Sequence, residues 1–121
     1  LNRYEDIFID MEAGIEHLGR GTAQSVDKFL IVMEPNHTSI NTAKKIKQLA
    51  ENLKIKEVFA IGNKIRSESD KNFIEKNIKD IKLKGFISVD EELLNSRGKL
   101  PENSKFIDDL KEVYNGIRDN G

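Results

Sequence analysis

Phe29-Leu30-Ile31-Val32-Met33-Glu34-Pro35 is an apolar run that ends on an acid and a proline. Five consecutive large apolar residues without polar alternation describe a strand covered on both faces, as in a parallel sheet. Pro35, which has no amide hydrogen, stops the ladder. Downstream, Ile40, Ala43, Ile46, Leu49, Ala50 and Leu53 recur at spacings of three and four, with Lys44, Lys45, Lys47 and Glu51 opposite. That pattern predicts an amphipathic helix over Ser39 to Leu53, its lysine side a solvated face. Val58 to Ile61 follows as a second strand of the same kind, closed by Gly62-Asn63 with turn chemistry. Asp70 to Ile78 is expected to be helical with Ser69 as N-cap, and Lys84 to Val89 a less apolar strand. Glu91 to Asn95 reads as a short helix ending in the Ser96-Arg97-Gly98 turn. Ser104 to Ile117 reads as a terminal helix with Phe106, Ile107, Leu110, Val113, Tyr114 and Ile117 on one side. Upstream, Tyr4 to Asp10 contains Ile7-Phe8-Ile9 and ends on an acid, giving another buried-type strand. About four strands alternating with flanking helices define an α/β chain with a parallel sheet.

Composition narrows the function. The chain has 121 residues, enough for one domain with a real core, and no linker, repeat or low-complexity tract divides it. With 20 Lys and Arg against 21 Asp and Glu, nothing marks a nucleic-acid surface or an anionic membrane as the partner. No run approaches the roughly 20 apolar residues of a membrane helix, so a cytoplasmic protein is expected. There is no Cys and there are only two His, so a thiolate metal site or a closed zinc site within this segment is excluded.

Chemistry concentrates just after the first apolar run. A strand that ends on Asp10 brings a carboxylate to the C-terminal edge of the sheet, where α/β proteins bind ligands. The stretch that follows is Asp10-Met11-Glu12-Ala13-Gly14-Ile15-Glu16-His17-Leu18-Gly19-Arg20-Gly21-Thr22-Ala23. It resembles the switch segment of the P-loop ATPases that include the nitrogenase iron protein and the cell-division regulators. Its longer form, Glu16-His17-Leu18-Gly19-Arg20-Gly21-Thr22, resembles the nickel-insertion ATPases that serve carbon monoxide dehydrogenase. The resemblance continues through Ser25-Val26-Asp27, Glu34-Pro35, Ser39-Ile40 and Thr42-Ala43, and reaches Asp90.

The resemblance implies a parallel-sheet, Rossmann-like three-layer fold of the P-loop NTPase kind, of which residues 1–121 form the C-terminal part. It implies that Asp10 holds Mg²⁺, through water because that ion keeps part of its hydration shell. Gly14 would present its amide to the γ-phosphate, where a side chain would obstruct. The three glycines Gly14, Gly19 and Gly21 would let this loop change shape when the phosphate leaves, although Gly19 and Gly21 also suit an ordinary turn, and His17 reads as a surface or packing histidine. Asn63 would read the adenine edge by donating and accepting at once, with the Lys64 stem covering the ring. Gly62-Asn63-Lys64 also has the composition of an ordinary turn. Glu34 and Pro35 would lie at the functional edge, where Pro35 also serves to end its strand. Ile87-Ser88-Val89-Asp90 would pass near the base, with Ser88 where a Pro is more usual. ATP or ADP with Mg²⁺ are the implied cofactors, and a homodimer and carbon monoxide dehydrogenase the implied partners. The nickel site is expected outside this segment.

A phosphate-binding loop requires Gly, four residues, then Gly-Lys-Ser or Gly-Lys-Thr. Gly98-Lys99 is followed by Leu100 and has Leu93 at the position of the first Gly, so the segment carries no such loop. Residues 1–121 alone are therefore expected not to hydrolyse ATP appreciably, and the resemblance implies that the strand bearing that loop belongs between the Asp10 and Phe29 strands. Direct closure of the sheet across that slot, or pairing between fragments, is the expected consequence. A division- or partition-type ATPase and a non-catalytic α/β interaction domain are the alternatives.

Overall fold

The structure, a computed structural model, describes residues 25–91, 95 and 105–119. The order of elements is β1 (Phe29–Met33), α1 (His37–Asn52), β2 (Val58–Ile65), α2 (Glu68–Asn77), β3 (Lys82–Ser88) and α3 (Lys105–Asp119). The three strands form one parallel sheet in the order β1-β2-β3, with Phe29 opposite Val58 and Phe59 opposite Lys82. The expected strand from Tyr4 to Asp10 lies outside the described residues, as does most of the expected short helix at 91–95.

Capping chemistry fixes the helix ends. Asn36 is the N-cap of α1, accepting the Ser39 amide at 2.8 Å, so the helix begins two residues before the expected Ser39. At its other end Lys54 takes φ 64°. Its amide bonds to the Glu51 carbonyl and the Ile55 amide to that of Ala50, a Schellman ending sealed by contact between Ile55 and Ala50. For α2 the N-cap is Ser67 rather than Ser69. Its hydroxyl accepts the Asp70 amide, while the Asp70 carboxylate reaches back to the Arg66 amide at 2.8 Å. Ser67 wins because the acid three residues later also reaches back past it to the preceding amide, a reciprocal pair of bonds close to a capping box.

The turn expected at Gly62-Asn63 is also corrected, because β2 continues to Ile65. Gly62 pairs on one side with Met33 and on the other with Phe86. Its lack of a side chain serves packing, since a Cβ there would come within 2.7 Å of the Phe86 ring and 2.9 Å of Ile74. The register between β2 and β3 slips at Ala60/Ile61 and slips back between Gly62 and Ile65, leaving Lys64 with φ 56°. The Asn63–Lys64 step is thus a β-bulge inside a strand, a device that re-aims side chains.

Each face of the sheet has its own core. Ile31, Met33, Ala60 and Ile65 pack with Ile40 and Ala43 of α1 and with Ile74 of α2. On the other face Ile61 and Ile87 meet Val113 of α3, with Leu30, Phe106 and Ile117 around them. Leu110, expected on the apolar side of the terminal helix, is 38% exposed, and Asp109 is buried at 4% in its place. Gly85 lets α3 approach, since a Cβ there would lie 2.8 Å from a Val113 methyl.

Candidate functional site at the C-terminal sheet edge

All three strands are parallel, so the ends of β1, β2 and β3 open onto the same edge of the sheet. There the structure brings together three of the sequence-derived groups: Glu34-Pro35 after β1, Asn63-Lys64 in the bulge of β2, and the segment from Ser88 to Asp90 after β3. Ligands of open α/β sheets bind outside this edge.

Glu34 is anchored through its backbone, its amide donating to the Ser39 hydroxyl at 2.8 Å. Its carboxylate is left to face the bulge, where the Lys64 ammonium lies 3.6 Å away. Both side chains are well exposed, at 63% for Lys64 and 45% for Glu34, so this pair adds little stability. What it does is tie the tip of β1 to the bulge. Pro35 follows directly, in the bend before the Asn36 cap.

Between the ends of β2 and β3 lies a cleft of 340 Å³, within the range of small-molecule sites. One wall is Arg66, Ser67 and Lys71 at the start of α2, and the other is Ser88, Val89 and Glu91. Lys71 also sits 5.6 Å above the Phe86 ring and 3.5 Å from Glu68, which holds its stem along the wall. Asn63 is half-buried on the bulge, outside the lining of the cleft, and Lys64 beside it is exposed.

The second wall is held by a residue that sequence reasoning missed. Asp109 accepts the Ser88 amide at 2.8 Å and the Lys105 ammonium at 2.8 Å. Burial pushes its carboxyl up, but the Lys105 ammonium and the bonds from Ser88 outweigh this and hold it below the usual carboxylate value. In turn Asp90 accepts the Phe106 amide at 3.4 Å in the first turn of α3. The clue in the sequence was an acid in register with Phe106 and Val113, with a Lys one turn before it.

Asp10 and Gly14, the residues given to metal and phosphate, lie outside the described residues. Among the described residues no grouping of three or more His, Asp or Glu side chains is placed to hold a metal ion. Nor is any helix among the described residues long and apolar enough to cross a membrane.

Parallel strands with helices on both faces and a cleft at the C-terminal edge define an α/β fold of the P-loop NTPase type, present as a partial domain. The cell-division protein MinD of Aquifex aeolicus has this fold. It superposes with a TM-score of 0.69 at 25% identity, over 89% of this chain and 50% of that one. More particularly, the chain is homologous to the carbon monoxide dehydrogenase accessory protein CooC of Rhodospirillum rubrum. The two are 47% identical over 88 residues, which are 73% of this chain and 34% of that protein. It is likewise homologous to an ATP-binding protein of Methanocaldococcus jannaschii, 42% identical over 123 positions that span 97% of this chain and 48% of the relative. The chain thus spans about half or less of the length of these relatives. No protein-family model matches it.

Proposed function

We propose that residues 1–121 form the C-terminal portion of an ATPase of the CooC type and supply the nucleotide-base side of its site. The observation that carries this reading is the convergence of Glu34, Asn63-Lys64 and Ser88 to Asp90 on one sheet edge beside a 340 Å³ cleft. Homology to an ATP-binding protein over 97% of the chain and to CooC over 73% of it supports it.

In this reading the adenine ring lies at the mouth of the cleft, with the β2 bulge beside it and the wall after β3 against it. The Asn63 amide bonds the base edge, the Lys64 stem covers the ring, and Glu34, Pro35 and Asp90 shape the approach. Asp10 holds Mg²⁺ and Gly14 contacts the γ-phosphate, completing the clamp. Because Gly98-Lys99 is the only Gly-Lys and is not part of a phosphate loop, the cations for phosphoryl transfer come from elsewhere in the protein, and this segment alone turns over little ATP. ATP binding closes a homodimer and hydrolysis reopens it, with nickel as cargo for carbon monoxide dehydrogenase. The likeness to MinD favours a second reading, a division- or partition-type ATPase. Identity of 47% with CooC over 73% of the chain is what supports the nickel-delivery reading.

The test is equilibrium ATP binding by the complete protein and by Asn63→Asp, which replaces a group that donates and accepts with one that only accepts. The variant is expected to bind ATP about tenfold more weakly, the equivalent of one hydrogen bond. Equal affinity would remove Asn63 from the base site, and no ATP binding by the unaltered protein would end the proposal.

A further inference from the structure

A carboxylate inside an apolar helix face needs a reason. Phe106, Val113 and Ile117 pack α3 onto the sheet, and Asp109 lies among them at 4% exposure. A leucine there would bury without a desolvation penalty. What the acid does instead is take the Ser88 amide at 2.8 Å.

That amide has few other options. The next one along, Val89, donates to the Ile65 carbonyl of β2 at 2.9 Å, and successive amides of a strand point to opposite sides. The Ser88 amide therefore points away from β2, to the side where no further strand lies among the described residues. Ser88 is half-buried, where an unpaired amide is still costly, so the carboxylate on α3 both satisfies and fixes it. Lys105, one turn earlier, neutralises the acid at 2.8 Å. A second bond runs the other way, from the Phe106 amide to Asp90. Two carboxylates, one on the helix and one on the loop, thus lock the backbone that forms one wall of the cleft.

We propose that Asp109 is a positioning residue for the nucleotide base, acting from α3 by fixing the backbone at Ser88 and hence the wall formed by Ser88, Val89 and Glu91. It rests on the reading of the cleft as the base site. Asp109 touches no ligand in this arrangement. Its effect falls on base recognition and leaves phosphate recognition alone, because it holds only the wall between β3 and α3.

Affinities for ATP and for tripolyphosphate, which has no base, test this in the complete protein. Asp109→Leu leaves the Ser88 amide unpaired and is expected to weaken ATP binding about tenfold while tripolyphosphate stays within about twofold. Asp109→Asn keeps an oxygen for that amide and is expected to retain ATP affinity within about threefold. Parallel losses of ATP and tripolyphosphate, or no loss of either, would overturn the role of Asp109. Should Asp109→Leu fail to fold, amide hydrogen exchange at Ser88 in the unaltered protein decides: it is expected to slow when ATP saturates the site, and an unchanged rate counts against the proposal. Failure of the unaltered protein to bind ATP would overturn the base-site reading itself, which is a separate result from binding with unchanged selectivity.

Discussion

Lys64 carries a prediction in which stability and affinity part company. It holds a left-handed backbone at φ 56° while its ammonium reaches Glu34 at 3.6 Å. For a residue with a Cβ that conformation costs roughly 1–2 kcal/mol. Glycine escapes the strain but gives up roughly 0.5–1 kcal/mol of extra backbone entropy on folding. Lys64→Gly and Lys64→Ala both lose the ion pair, whose exposure limits it to about 0–1 kcal/mol. Glycine is therefore expected to be more stable than alanine by on the order of 1 kcal/mol. Urea unfolding of the two variants in the complete protein gives the difference directly. If the Lys64 stem covers the base, both variants bind ATP about five- to tenfold more weakly, whichever is more stable. Identical midpoints for glycine and alanine would refute the strained bulge, and undiminished ATP affinity in both would take Lys64 out of the site.

Ile74 is fully buried between the sheet and α2, against Gly62 and Phe86. Ile74→Ala is expected to cost about 2–5 kcal/mol in chemical unfolding, and a loss below about 1 kcal/mol would contradict that packing. The paired charges on α3 give a pH dependence with two limits. The Asp109 carboxyl is depressed in the fold, so its contribution is present above the unfolded carboxylate value of about 4 and disappears as pH falls through the depressed one. Stability curves of the unaltered protein and Asp109→Asn should therefore converge below that value; curves that stay parallel into acid would contradict the assignment. Lys105 is raised from 10.5, first by its bond to Asp109, so its share persists below 10.5 and fades only as pH rises through the folded value.

Much of this arrangement was legible in the residues. Phe29–Met33 was readable to its ends because five apolar residues meet a proline, a local event. The parallel sheet and the alternation with helices followed from the same apolar runs. Boundaries set by tertiary contact were not legible. Gly62-Asn63 has the composition of a turn, and only its pairing with both neighbours, with a bulge absorbed at Lys64, keeps it in a strand. Ser67 and Ser69 compete as caps, and the reach of Asp70 back to the Arg66 amide favours the first. Asp109 escaped notice because an acid at helical spacing normally marks the solvent side. Its role depends on an amide 21 residues away, which no periodicity encodes. Glu34 and Asn63-Lys64 were singled out from a resemblance; what the structure adds is their common position at one sheet edge, with Lys64 3.6 Å from Glu34.

Photolabelling with 8-azido-ATP, followed by mapping of the labelled peptides of the complete protein, tests the base site most directly. Label that ATP competes away should map to residues 61–71 or 86–91, the two walls at the C-terminal edge. Competable label on the outer face of α1 or on the distal end of α3, with none on those walls, would contradict it.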